Sequence, residues 1–208
     1  MDPFLKELCS DPNIKSRRSP AINRGYLARL LALEVTFEKF LSIPGKFKQV
    51  LSLGAGFDSM FFRLKNMMII DDELKYFEVD YPASVKRKDA RIFKSAYLKS
   101  FFKKRKIVNN DIFIYDDGKL TLIGCDMIQV NELKDKFQFG AFDPDVATLI
   151  LTECSTTYIE VDQCEKLLKM LTLYLKKFVY ISYEQIRKGF LILIPHLPFS
   201  WIKITTYV

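Results

Sequence analysis

The sequence predicts a doubly wound α/β domain, a mostly parallel sheet covered by helices. Three observations carry this. Apolar strand-like runs alternate with segments of helical spacing along most of the 208 residues, the pattern of repeated strand–helix–strand units. Val146 to Leu151 is an almost unbroken apolar run, as expected of a strand buried on both faces. Gly54-Ala55-Gly56 stands between a strand-like and a helix-like run, where open sheets bind ligands. One domain, 1–208, accounts for the length.

The elements follow in order. Asn23 to Leu41 places Leu27, Leu30, Leu31, Val35, Phe37 and Phe40 at helical spacing, and Pro44-Gly45 then breaks the chain. Gln49 to Leu53 reads as the first strand, and Phe57 to Leu64 as the helix after the Gly turn. Lys75 to Val79 is the second strand, closed by Asp80, and Pro82 suits the first turn of a helix through Arg91. Leu120 to Gly124 is the third strand and Val146 to Leu151 the fourth. Val161 to Lys177 carries Leu167, Leu168, Leu171 and Leu175 on one helical face, and Phe178 to Tyr183 is the fifth strand. From Gly189 to Val208 the alternation stops. Phe190 to Ile194 and Trp201 to Thr206 read as two strands of a divergent hydrophobic tail.

Composition narrows the chemistry. The net charge is +7, but the excess is spread along the chain. Its two concentrations, Lys86-Arg87-Lys88 and Lys103-Lys104-Arg105-Lys106, read as solvated faces, so no nucleic acid is expected as partner. Four cysteines without a CxxC pair fit reduced thiols in the cytosol or nucleus, and a cytoplasmic location is expected. No secretory signal and no apolar stretch of ~18 residues is visible, so no membrane partner is expected. A single His196 leaves little room for a His-dependent nucleophile or a multi-His metal site, and no metal is expected.

The strand tips carry the chemistry. Glycine in the Leu53-Gly54-Ala55-Gly56 turn lets a ligand approach the backbone. The third glycine of a dinucleotide fingerprint would fall at Ser59 and is missing. Asp80 closes the second strand and can accept both hydroxyls of a ribose. Asp126 follows the third strand and Glu153 the fourth. These acids and the Gly turn sit at the carboxyl ends of four strands and point to one crevice for a nucleoside-bearing ligand. S-adenosyl-L-methionine suits that rim better than a dinucleotide. It has no phosphate, and its sulfonium and ammonium favour acids.

The segment Arg18-Ser19-Pro20-Ala21-Ile22-Asn23-Arg24-Gly25-Tyr26-Leu27-Ala28-Arg29 resembles the signature of the leucine carboxyl methyltransferase family. The likeness continues through Leu53 to Asp58, Phe61-Phe62-Arg63-Leu64, Tyr76 to Pro82, Arg87-Lys88, Ile123 to Asp126, Thr152-Glu153-Cys154 with Tyr158, and Ile181 to Gln185. The resemblance implies a class I S-adenosylmethionine-dependent methyltransferase-like domain acting as a monomer. The implied reaction methylates the C-terminal leucine carboxylate of the type 2A protein phosphatase catalytic subunit. Carried over residue by residue, Arg29 would bind the carboxylate of the cofactor and Gly54 would line it. Asp80 would hold the ribose, Asp126 and Met127 would lie beside the adenine, and Glu153 would face the methionine moiety. Arg24 and Tyr158 would shape the substrate pocket.

A carboxylate substrate is already ionised at neutral pH, so direct methyl transfer needs alignment and exclusion of water rather than a general base. The family pattern has a further segment before Asp2 and more helices and strands after Gln185, so the sequence reads as truncated at both ends. Two alternatives follow: a non-catalytic relative that binds cofactor or phosphatase without turnover, and the tRNA wybutosine-modifying branch of the same family.

Overall fold

The computed structural model describes residues 2–9, 20–45, 47–70 and 73–184. In chain order the helices are α1 (Pro3–Cys9), α2 (Pro20–Ser42), α3 (Met60–Asn66), α4 (Pro82–Lys94), α5 (Ala96–Lys99), α6 (Val130–Phe139) and α7 (Val161–Tyr174). The strands are β1 (Lys48–Leu53), β2 (Leu74–Asp80), β3 (Arg105–Val108), β4 (Ile112–Tyr115), β5 (Leu120–Gly124), β6 (Ala147–Glu153) and β7 (Phe178–Tyr183). They form one sheet in the order β3-β4-β5-β2-β1-β6-β7. All five expected strands are present and mutually parallel, and the β3–β4 hairpin adds an antiparallel edge to β5.

The register decides where the site falls. Leu53 lies level with Val79 and Thr152, Asp80 with Gly124, and Glu153 with Tyr183. The carboxyl ends therefore form one even rim. The chain winds outward from β1 through β2 to β5, then returns to β6 on the other side of β1. That reversal opens the crevice of a doubly wound sheet.

Two buried clusters cover the two faces. One gathers Phe4, Phe37, Phe61, Phe62 and Tyr76, and the other Phe77, Phe137, Phe142, Leu167 and Leu171. Tyr76 and Phe77 adjoin on β2 and feed opposite clusters, as side chains alternate along a strand. The phenylalanine richness thus fills both layers, with ring pairs such as Phe61–Phe62 at 5.4 Å and Phe77–Phe142 at 4.9 Å.

Several boundaries differ from expectation. α3 starts at Met60 rather than Phe57, because the Met60 N–H donates to Asp58 Oδ1 (3.1 Å) and the Asp58 N–H to Ala55 O (2.9 Å), closing a turn first. α7 stops at Tyr174 rather than Lys177. Leu175 turns extended and stays buried, and the Lys176 N–H donates to Pro144 O (3.0 Å) on the way into β7.

Neither basic block is simply a solvated face. Lys88 is 1% exposed, and Arg105 reaches from β3 to Asp89 of α4, donating from Nε at 2.8 Å. The reason is geometric: Val85, Lys88, Asp89 and Ile92 share the face of α4 turned toward the sheet. α1, α6 and the β3–β4 hairpin were not foreseen. The two tail strands expected between Phe190 and Thr206 lie outside the described residues.

Candidate functional site

The crevice at the rim is lined by Gly54, Val79, Asp80, Tyr81, Cys125, Asp126 and Met127. Asp80 Oδ2 accepts the Gly56 N–H (2.8 Å) and Oδ1 accepts the Tyr81 N–H (2.8 Å). Each carboxylate oxygen has two lone pairs, so one remains on each for a ligand hydroxyl. Asp126 Oδ1 accepts the Ile128 N–H (3.2 Å), which fixes the turn that presents Met127. Gly54 and Gly56 both have left-handed φ, +73° and +52°. Their roles differ. A Cβ on Gly54 would lie 2.4 Å from Ser155 Cβ, so the Ser155 side chain fills that space, whereas nothing lies within 4 Å of a Cβ on Gly56. Gly54 lines the crevice, while Gly56 carries its left-handed backbone in open space.

On the other side of β1, Arg29 of α2 forms an ion pair with Glu153 at the end of β6. Its guanidinium lies 5.6 Å from the Tyr26 ring centroid and 5.4 Å from that of Tyr183. Arg29 Nη1 also lies 3.6 Å from Cys154 Sγ. Ser155 is anchored twice: its Oγ donates to Leu53 O (2.9 Å) and its N–H to Glu184 Oε1 (3.3 Å). Glu184 also accepts the Thr156 N–H (3.0 Å) and the Thr156 and Thr157 hydroxyls (2.5 Å each). The loop after β6 is therefore held against the Gly turn.

The thiols at the rim are not poised as nucleophiles. Burial pushes Cys125 up to about 12, and burial also raises Cys154 despite the neighbouring Arg29.

Beneath the crevice lie charges that sequence reasoning missed. Lys88 Nζ donates to Asp58 O (2.7 Å) and lies 2.5 Å from Glu78 Oε2, with both side chains buried. The contact is charge to charge rather than an aligned hydrogen bond. Burial pushes the Glu78 carboxyl up to about 7; Lys88 opposes that shift, while Asp58 and Asp80 add to it. Lys136 of α6 bonds Gly124 O and lies 2.6 Å from Asp111 Oδ2, tying down the end of β5 just before Asp126. One signal was available: a glutamate inside the apolar run Tyr76-Phe77-Glu78-Val79 needs a buried partner.

The sequence-predicted residues divide. Asp80, Gly54, Asp126 and Met127 share the crevice, and Arg29 and Glu153 meet at the adjoining strand end. Arg24 is exposed on α2, and Tyr158, 84% exposed, stands on the short turn Thr156–Tyr158. Among the described residues no hydrogen bond or ion pair joins the two.

This doubly wound sheet, with its Gly turn and acid-lined switch point, fits the architecture of an α/β methyltransferase. The chain belongs to the leucine carboxyl methyltransferase family, whose model, described as "Leucine carboxyl methyltransferase", matches residues 3–172. It is 31% identical over 188 residues to leucine carboxyl methyltransferase 1 of Rattus norvegicus, covering 89% of this chain and 55% of that protein. With leucine carboxyl methyltransferase 1 of Caenorhabditis elegans it shares 33% over 193 residues, covering 89% and 57%. The tRNA wybutosine-synthesizing protein 4 of Rattus norvegicus is 28% identical over 179 residues, covering 83% of this chain and 26% of that protein. The chain spans about half the length of the carboxyl methyltransferases it matches.

Proposed function

We propose that this chain binds S-adenosyl-L-methionine at the rim and methylates the C-terminal leucine carboxylate of the type 2A protein phosphatase catalytic subunit. The observation that carries the reading is the order of acids and the Gly turn along the rim. Asp80 and Glu153 close β2 and β6, Gly54 follows β1 and Asp126 follows β5, and these four strands are neighbours in the order β5, β2, β1, β6. At the usual strand spacing these cover about 14 Å, the reach of an extended nucleoside amino acid.

Met127, Cys125 and Val79 give the adenine an apolar wall, and Asp80 has one lone pair per oxygen left for the ribose hydroxyls. At the other end, Arg29 and Glu153 match a zwitterion: the guanidinium answers a carboxylate, and the glutamate an ammonium. When bound, the cofactor supplies an electrophilic methyl on sulfur. The chain's own part is to orient that ligand, shed water and hold the leucine carboxylate in line. Arg24 and Tyr158 line the approach of the peptide. The four free thiols support a reducing, cytoplasmic setting.

Incubation with methyl-labelled cofactor and purified phosphatase tests the reading. Base-labile label on the phosphatase is the expected result. Label on tRNA instead would move the substrate to the other branch, and no transfer to either would remove the assignment. Asp80→Ala should weaken cofactor binding by about 1–3 kcal/mol in calorimetry, the cost of unpaired buried hydroxyls. Unchanged affinity would refute the ribose assignment.

A further inference from the structure

Backbone bonds hold the start of the Gly turn, from the Gly54 and Ala55 N–H groups to Val79 O (2.8 and 3.2 Å), and two side chains tie the rest. Asp80 grips the Gly56 N–H from β2, and Lys88 grips the Asp58 carbonyl from α4. Lys88 has no exposed surface to justify a charge there, and Glu78 supplies its counter-charge from the middle of β2. The Tyr76 hydroxyl and both Glu78 oxygens on the same strand are buried without an aligned partner. Burying an ion pair costs as much as it returns, and an apolar pair of equal volume is often neutral or stabilising. What an apolar pair cannot do is donate to Asp58 O.

We infer that Lys88 is a positioning residue: its ammonium fixes the Gly54–Asp58 turn in the shape that receives the cofactor, with Glu78 as its buried counter-charge. A ligand at the Gly turn needs backbone already in place, because ordering a loop on binding costs affinity. The turn has two left-handed glycines, Gly54 and Gly56, which widen its conformational choice when it is not tied. Lys88 ties the far end of the turn, as Asp80 ties the middle.

Two readouts on the full chain test this: amide exchange of the Gly54–Asp58 turn, and calorimetry with S-adenosyl-L-methionine, which alone rests on the proposed function. In Glu78→Leu/Lys88→Met the melting temperature should match or exceed the parent. Turn amides should exchange at least about tenfold faster and cofactor affinity should fall at least about tenfold. Glu78→Gln keeps the Lys88 donor and should hold turn exchange within about twofold of the parent. If the double variant does not fold, Lys88→Gln, too short to reach Asp58, should show the same loosened turn. Parent-like protection of the turn in a folded variant without the Lys88 donor overturns the inference. If the parent itself binds no cofactor, the proposed function fails and the exchange data still decide the role of Lys88.

Discussion

Lys88 and Asp89 are neighbours on α4, both buried, and they serve different regions. Lys88 turns toward the crevice, where it meets Glu78 and the Asp58 carbonyl. Asp89 turns toward the sheet edge, accepting Arg105 Nε (2.8 Å), Arg105 Nη2 and the Tyr115 hydroxyl (2.6 Å). The Asp89 cluster is well satisfied: three donors meet one carboxylate, and Arg105 lies over the Phe93 and Phe113 rings at 5.2 and 5.4 Å. Burial and the Asp89 bond together raise the Tyr115 hydroxyl far above its ordinary range. The Glu78 carboxylate has one close cation and no aligned donor. A fully bonded cluster braces the hairpin against α4. A half-bonded one leaves free energy in the charge itself, and it sits under the site.

Asp89→Ala should produce the largest effect. Removing the acceptor strands a partly buried guanidinium and a buried hydroxyl, at about 3–5 kcal/mol. Urea unfolding should show the loss, and the β3–β4 amides should lose protection most. Cofactor affinity of the folded fraction should stay close to the parent. A comparable loss of affinity would show that the two regions are coupled and end the contrast.

The same helix shows where sequence was readable and where it was not. Five strands, their parallel direction and the acids at their tips were legible, because unbroken apolar runs and Asp or Gly at strand ends are local signals. Arg105-Lys106-Ile107-Val108 hid a strand because an edge strand of a hairpin can carry charge on its open face. The turn through Asn109 and Asn110, both with left-handed φ, was the available clue. α6 was hidden by its polar face, with only Leu133 and Phe137 buried four apart. At the rim, residue type and resemblance singled out Gly54, Asp80, Asp126 and Met127, which share the crevice, and Arg29 and Glu153, which pair beside it. Lys88, Lys136, Ser155 and Glu184 were not foreseen, since each acts through the backbone of another element. Only tertiary placement brings a lysine of α4 to a carbonyl thirty residues earlier.

Glu78 gives a smaller effect, with a sign. Its carboxyl moves from 4.5 up to about 7 on folding. Between those values the folded state holds a proton that the unfolded state has released, so this group lowers stability as pH rises through the window. Glu78→Gln removes the slope. The stability of the variant relative to the parent should therefore climb between about pH 4.5 and 7, on the order of 1–3 kcal/mol, and level off above. Denaturant titrations at several pH values check it. A flat difference would mean that Glu78 is as well satisfied as Asp89.

Lys104 and Asp117 supply the smallest effect and the control for both clusters. They approach to 3.4 Å near the same hairpin, but their side chains are 73% and 84% exposed. Water screens the pair, and fixing two mobile side chains offsets most of the attraction. Lys104→Ala should cost at most about 0.5 kcal/mol in urea unfolding, and that loss should shrink further in high salt. The Lys104 backbone N–H, which donates to Asp116 Oδ1 (2.8 Å), survives the substitution, so the turn it closes is kept. If this variant lost as much as Asp89→Ala, burial would not be what separates the clusters on α4 from surface charge. The distinction between brace and positioning residue would then lose its physical basis.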